Sequence, residues 1–157
     1  MGAIKWLVPI AAALAYGALV GWAGPQVTAG GLLTFDMRPF GYSAADAQAF
    51  FTALTPEGRL AYLGPHRITD TIFVFLLTIT LILPIWRFGP LWAFAALAYA
   101  AFDLAENEAV AGMVNRGAGW ADQVWVASLC TQGKFVFLAL AIGLALWGLW
   151  PRSGRRN

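Results

Sequence analysis

A chain of 157 residues that is 60% hydrophobic, 15% aromatic and 11% charged departs from soluble domains, which hold roughly 45–50% apolar and about 25% charged residues. The net charge of +2 is small and the basic residues form no stripe with interleaved aromatics, which argues against a nucleic-acid partner. A single cysteine, Cys130, excludes an internal disulfide and a cysteine-based metal cluster.

The composition is that of an integral membrane protein lying in a lipid bilayer, and eight tryptophans suit the membrane interface. Crossing the hydrocarbon takes about 20 mostly apolar residues. Residues 6–24 form the first such stretch. Lys5, the apolar run and Gly21-Trp22-Ala23 also fit a signal peptide with its cleavage site. The length of the run and the bulk of Trp22 favour a retained span. Gly17 and Gly21 make a small-xxx-small pair suited to close helix contact.

Residues 25–67 form an outer loop that is patterned. Ser43 followed by Asp46 makes a capping-box arrangement, and Ala47, Phe50, Phe51 and Leu54 then fall on one helical face. Thr55 caps a second helix with Pro56 at its first position. Two short amphipathic helices are therefore expected, capping the bundle or lying as a lid over a pocket.

The second span covers residues 68–86, with Pro84 close to its end, where it kinks the helix or marks the helix running out. The third covers residues 91–110 and ends in "FDLAENEAV", which puts three carboxylates and an asparagine within a few positions. Residues 124–150 form the fourth, long enough to tilt or protrude, with Gly143 facing a neighbouring helix. Gly24-Pro25, Gly64-Pro65, Gly89-Pro90 and Pro151 punctuate the span boundaries. The expected fold is all-α, an integral membrane four-helix transmembrane bundle in one domain, residues 1–157.

Lys5, Arg87, Arg152, Arg155 and Arg156 fall on one side of four spans. By the positive-inside rule this side is cytoplasmic and holds both termini. Arg38, Arg59, Arg67 and Arg116 lie on the other side and reduce the bias.

A helix rises 1.5 Å per residue. Counted from the inner end of each span, Asp70, Asn107 and Lys134 all stand roughly 24 Å up, Glu106 is within one residue of them, and Asp103 stands at roughly 18 Å. Tyr99, Asp103, Glu106 and Asn107 share one stripe of their helix. His66 and Asp70 share another, and Thr131 lies on the Lys134 face with Gln132 nearby. Glu108 points away, towards the outer interface. These residues predict a polar cluster inside the outer half of the bundle, in which Lys134 is the counter-ion of Asp103 or Glu106.

Three readings of that cluster stand side by side. It fixes helix register, it is a ligand or substrate pocket, or His66, Asp70 and Asp103 or Glu106 bind a hard cation. The absence of a tight ligand motif disfavours the metal, and no cofactor-binding motif is present. Cys130 reads as packing. Met37 and Met113 read as loop residues.

The pattern "GYSAADAQAFFTAL", "GRLAYL", "HRITDTIF" and "FDLAEN" resembles a recurring type of small bacterial four-span membrane protein without an assigned activity, which implies a bacterial inner membrane. The spans also resemble the four-helix core of emopamil-binding, sigma-2-receptor-like proteins. Those carry acidic residues inside a bundle that opens to lipid, and they bind sterol-like amphiphilic amines. That resemblance implies His66 with Asp70, and Asp103 with Glu106 and Asn107, as the ligand-facing groups. Lys134 departs from it, because a lysine neutralises acids that a cationic ligand would need.

Two functions follow as expectations. The first is binding of a small amphiphile or lipid, with Asp103 or Glu106 as acid or base in a proton-transfer reaction. The second is a non-catalytic accessory subunit of a larger membrane complex. A transporter or channel fits less well, because no polar track continues into the inner half.

Overall fold

The computed structural model describes residues 4–117 and 121–150, without the side chains of Ile4 and Lys5. The basic cluster of Arg152, Arg155 and Arg156, together with Pro151, lies outside the described residues. Helix α1 (Ile4–Ala18) runs on through a π-helical turn (Leu19–Ala23) and a 3-10 turn (Gly24–Gln26). An irregular segment with a 3-10 turn at Phe35–Met37 leads to α2 (Ala44–Ala53) and α3 (Pro56–Ala61). A π-helical turn (Tyr62–His66) joins α3 to α4 (Arg67–Ile85), and α5 (Phe94–Arg116) and α6 (Ala121–Leu149) complete the chain. No strand occurs among the described residues.

Three stretches are long and apolar enough to cross a membrane: Trp6–Gln26, Pro56–Phe88 and Ala121–Leu149. The acids of α5 keep it outside that group, although it is 23 residues long. Two of those acids turn inwards, Asp103 being 3% exposed and Glu106 1%.

The loop helices start where their caps place them. The Ser43 side chain accepts from the Asp46 backbone N–H, and the Asp46 carboxylate accepts from the Ser43 N–H and hydroxyl. These hydrogen bonds, the backbone one first, hold the Asp46 carboxyl below the usual carboxylate range. Thr55 caps α3 by accepting from the Gly58 N–H. However, the helical path does not break at Gly64-Pro65 as a boundary would. The wider π turn accommodates the proline, which has no N–H to give and whose ring crowds a tighter turn. The resulting rod, Pro56–Phe88, is 33 residues long. Pro84 sits one residue before the end of α4, and the helix tightens there into a 3-10 turn at Trp86–Phe88.

Helix α5 also overruns its expected end. It continues to Gly117, a left-handed C-cap whose N–H reaches Met113 and Val114, and the Arg59 side chain donates to the Val114 carbonyl. Met113 is therefore a helical core residue and fully buried, rather than a loop residue.

Helices α4, α5 and α6 pack against one another, while α1 packs chiefly on α4. The apolar core has layers. At the end away from the loop helices Leu81 and Ile85 meet Ala96, Ala141 and Leu144. In the middle Val74 meets Tyr99 and Ala100. Under the loop helices Phe35, Phe50 and Tyr62 meet Val110, Met113 and Val124. The polar residues of α5 lie between the last two layers.

The glycines that bring helices together are Gly133, packed against the Phe102 ring, and Gly148, packed against the Pro84 carbonyl. Gly17, Gly21 and Gly143 face open space, so the expected close contacts at these positions are not made among the described residues.

Candidate functional site

The polar residues of the cluster reach the same region from several elements. On α5, Asp103 and Glu106 flank the Lys134 ammonium of α6, with Nζ 3.3 Å from Asp103 Oδ1 and 2.6 Å from Glu106 Oε2. Thr131, one turn before Lys134, donates its hydroxyl to Glu106 Oε1 at 2.6 Å. Lys134 thus pairs with both carboxylates. All of these groups are buried, where an uncompensated charge is expensive and a paired one is tolerated.

A second pair lies beside the first. Asn107 donates to Asp70 Oδ2 at 2.5 Å, which joins α5 to α4. His66 is buried one turn before Asp70, with its ring stacked on Tyr62. Its Nε2 lies 3.9 Å from Oδ2 of Asp36, an acid of the 3-10 turn in the outer loop. The other oxygen of that carboxylate, Oδ1, is buried without a hydrogen-bond partner among the described residues. Arg67 and Glu108 pair outside the cluster, at the surface.

These groups border a cavity of about 600 Å³. Its polar lining includes Asp36, His66, Asp70, Tyr99, Asp103 and Lys134. The apolar lining includes Tyr16 of α1, Leu19 and Val20 of the π turn after it, Phe73 of α4 and Phe135 and Leu138 of α6, under a roof of loop residues such as Leu33 and Met37. The polar lining is largely buried, whereas Tyr16, Val20, Leu33 and Met37 are exposed. The floor is therefore polar and the rim apolar. Such a space accepts a drug-sized molecule, for which pockets run about 300–1,000 Å³.

The residues expected at the site divide by role. His66, Asp70, Tyr99, Asp103 and Lys134 reach the cavity. Glu106 stands behind Lys134 and Asn107 behind Asp70, so each holds a lining residue in place without lining the cavity itself. Two contributors were not anticipated. Asp36 comes from irregular backbone, to which helical height and face do not apply, and its signal is an acid set in the apolar run "GLLTFDM". The Tyr42 hydroxyl is buried near Glu106 and Thr131; burial first, and then the Glu106 charge, push its phenol well above the usual value. Among the described residues no group of three or more His, Cys, Asp or Glu is arranged to hold a metal.

The arrangement offers carboxylate acceptors on the cavity wall and an ammonium already shared by two carboxylates. A headgroup that donates hydrogen bonds finds acceptors at Asp36 and Asp103, whereas an anionic headgroup meets three carboxylates. Compared with protein families, curated proteins and solved structures, the chain matches none.

Proposed function

We propose that the chain is a four-span membrane protein, with α5 as its third span, that binds a small amphiphile in the cavity. The observation that carries this reading is the combination of a buried floor of ionisable groups with apolar walls and an apolar rim. The headgroup sits at Asp36, Asp70 and Asp103, and the tail lies against Tyr16, Phe73 and Leu138. If the ligand is also transformed, Asp103 is the candidate acid or base, because it faces the cavity while Glu106 holds Lys134. The termini face the cytoplasm and the membrane is a bacterial inner membrane in this reading.

Native mass spectrometry of the protein, extracted gently from its own membrane, tests it. The expected result is a defined small mass on the chain, lost in Asp103→Asn and reduced in Asp36→Asn. An unliganded wild-type chain, or a mass indifferent to both substitutions, would sink the proposal.

A second reading is favoured by α1. A Cβ at Gly17, or at Gly21 in the π turn that continues it, would meet nothing within 4 Å among the described residues, and most of the large side chains of α1 are exposed. This is the surface an accessory subunit offers to another transmembrane helix. Stoichiometric co-purification with further subunits, lost in Gly17→Leu, is the expected result for that role. A chain that stays alone in mild detergent at native abundance excludes it.

A further inference from the structure

The segment between α1 and α2 carries exposed apolar side chains where a water-facing loop would carry polar ones. Phe40 is 95% exposed, Leu33 57%, Met37 48% and Leu32 41%. Their height is fixed by α6. Gly41, next to Phe40, lies so close to Ser128 and Gln132 that a Cβ there would collide with both side chains, and the Tyr42 N–H donates to Ser128 Oγ at 2.9 Å.

Trp125 near the start of α6 and Trp150 just past its end are both exposed and stand twenty-five residues apart, roughly 38 Å along the helix axis. That matches the separation of two interfacial aromatic belts around a hydrocarbon core of about 30 Å. Ser128 and Gln132 lie three and seven residues inside the Trp125 level, roughly 5–10 Å deeper. Phe40 is therefore presented sideways at the boundary of headgroups and acyl chains.

Irregular backbone at such a depth must satisfy its own polar groups. Part of this segment's polar backbone is satisfied within the segment itself. Arg38 donates through Nε and Nη2 to the Leu33 carbonyl at 3.2 and 2.7 Å. The N–H groups of Leu32, Met37, Arg38 and Gly41 bond to carbonyls of Ala29, Thr34, Phe35 and Arg38. The Arg38 guanidinium rests over the Phe35 ring at 5.3 Å, which keeps its charge against aromatic faces.

We propose that residues 30–41 form a membrane-inserted anchor, with Leu33 and Phe40 seated in the leaflet on the loop side and lipid as their partner. The assignment rests on the membrane-spanning reading of α6 and is independent of any cavity ligand. The anchor holds the Phe35–Met37 turn, and with it Asp36, at a fixed height over the cavity.

Site-directed spin labelling in phosphatidylcholine vesicles tests it, using the full chain with Cys130→Ser as background. Nitroxides are placed at Phe40→Cys and, independently, at Leu33→Cys. Gln48→Cys on the exposed face of α2 serves as the aqueous reference and Val136→Cys on the exposed face of α6 as the lipid reference. The expected result is that Phe40 and Leu33 labels collide with oxygen severalfold more than with a water-soluble nickel chelate, as at Val136. Accessibility to the chelate matching that at Gln48 would overturn the anchor. Protection from both agents would overturn it as well, because the patch would then be covered by protein. A Val136 label that behaves like the Gln48 label would show instead that the spanning reading of α6 has failed.

Discussion

Lys134 is the residue on which the centre of the molecule depends. It is 4% exposed, and its ammonium is the cation shared by Asp103 and Glu106. Lys134→Met removes that cation and leaves two buried carboxylates facing each other. Removing one partner of a buried pair costs roughly 3–5 kcal/mol, so unfolding in detergent is expected at markedly lower temperature. Adding Glu106→Gln removes one of the two stranded carboxylates and recovers part of the loss. A Lys134→Met protein that melts with the wild type would show that the network contributes nothing to stability. The sequence placed Lys134, Asp103 and Glu106 together because all three stand on long helices, where position converts directly into height and face. It did not place Asp36, because a 3-10 turn in irregular backbone offers no such conversion, and it could not separate Glu106 behind the lysine from Asp103 at the cavity, since both share one stripe.

At the scale of elements, local signals and tertiary contacts differ in what they reveal. Caps are local, and α2 and α3 begin at Ser43 and Thr55 as their sequences indicate. The Asp46 carboxyl is held below its usual range by the Ser43 hydrogen bonds. A depressed folded value means that its contribution is present above the unfolded pKa and is lost as pH falls through the folded one. The difference in thermal stability between wild type and Asp46→Asn is therefore expected at neutral pH and should vanish in strong acid; a difference that persists unchanged there would show that the carboxylate is not its source. Glycine roles, by contrast, depend on neighbours that the sequence does not reveal. Gly17, Gly21 and Gly143 have the composition of contact positions but face open space, while Gly148 meets the Pro84 carbonyl. Beside it Arg87 donates to the Gly148 carbonyl, which ties the turn after α4 to the end of α6. Gly148→Ala forces a methyl group into backbone and should cost about 1–3 kcal/mol. Gly143→Ala gains helix propensity of up to about 1 kcal/mol and meets no atom. Opposite signs of the two shifts in melting temperature are the expected outcome, and equal losses would refute the packing assignment.

For the molecule as a whole, the layered core makes α1 the outlying part. Helices α4, α5 and α6 share the apolar layers on one side of the polar groups, and α5 and α6 pack with the loop helices on the other, whereas α1 packs chiefly on α4 and belongs to the least buried of the three long apolar stretches. One contact between them is the Tyr16 ring against Phe73, with centroids 5.2 Å apart. Because α1 contributes to one wall of the cavity, a loosely held α1 would let the space change shape without disturbing the helices that carry Asp70, Asp103 and Lys134. Local stability follows the density of buried contacts. Hydrogen exchange in detergent, read by mass spectrometry, should therefore show weaker protection in α1 than in α5 or α6. Phe73→Ala should weaken it further in α1 while leaving α5 and α6 unchanged. If α1 is as protected as α6, or if Phe73→Ala loosens all the helices together, the wall is an integral part of the core, and a ligand must fit a cavity of fixed shape.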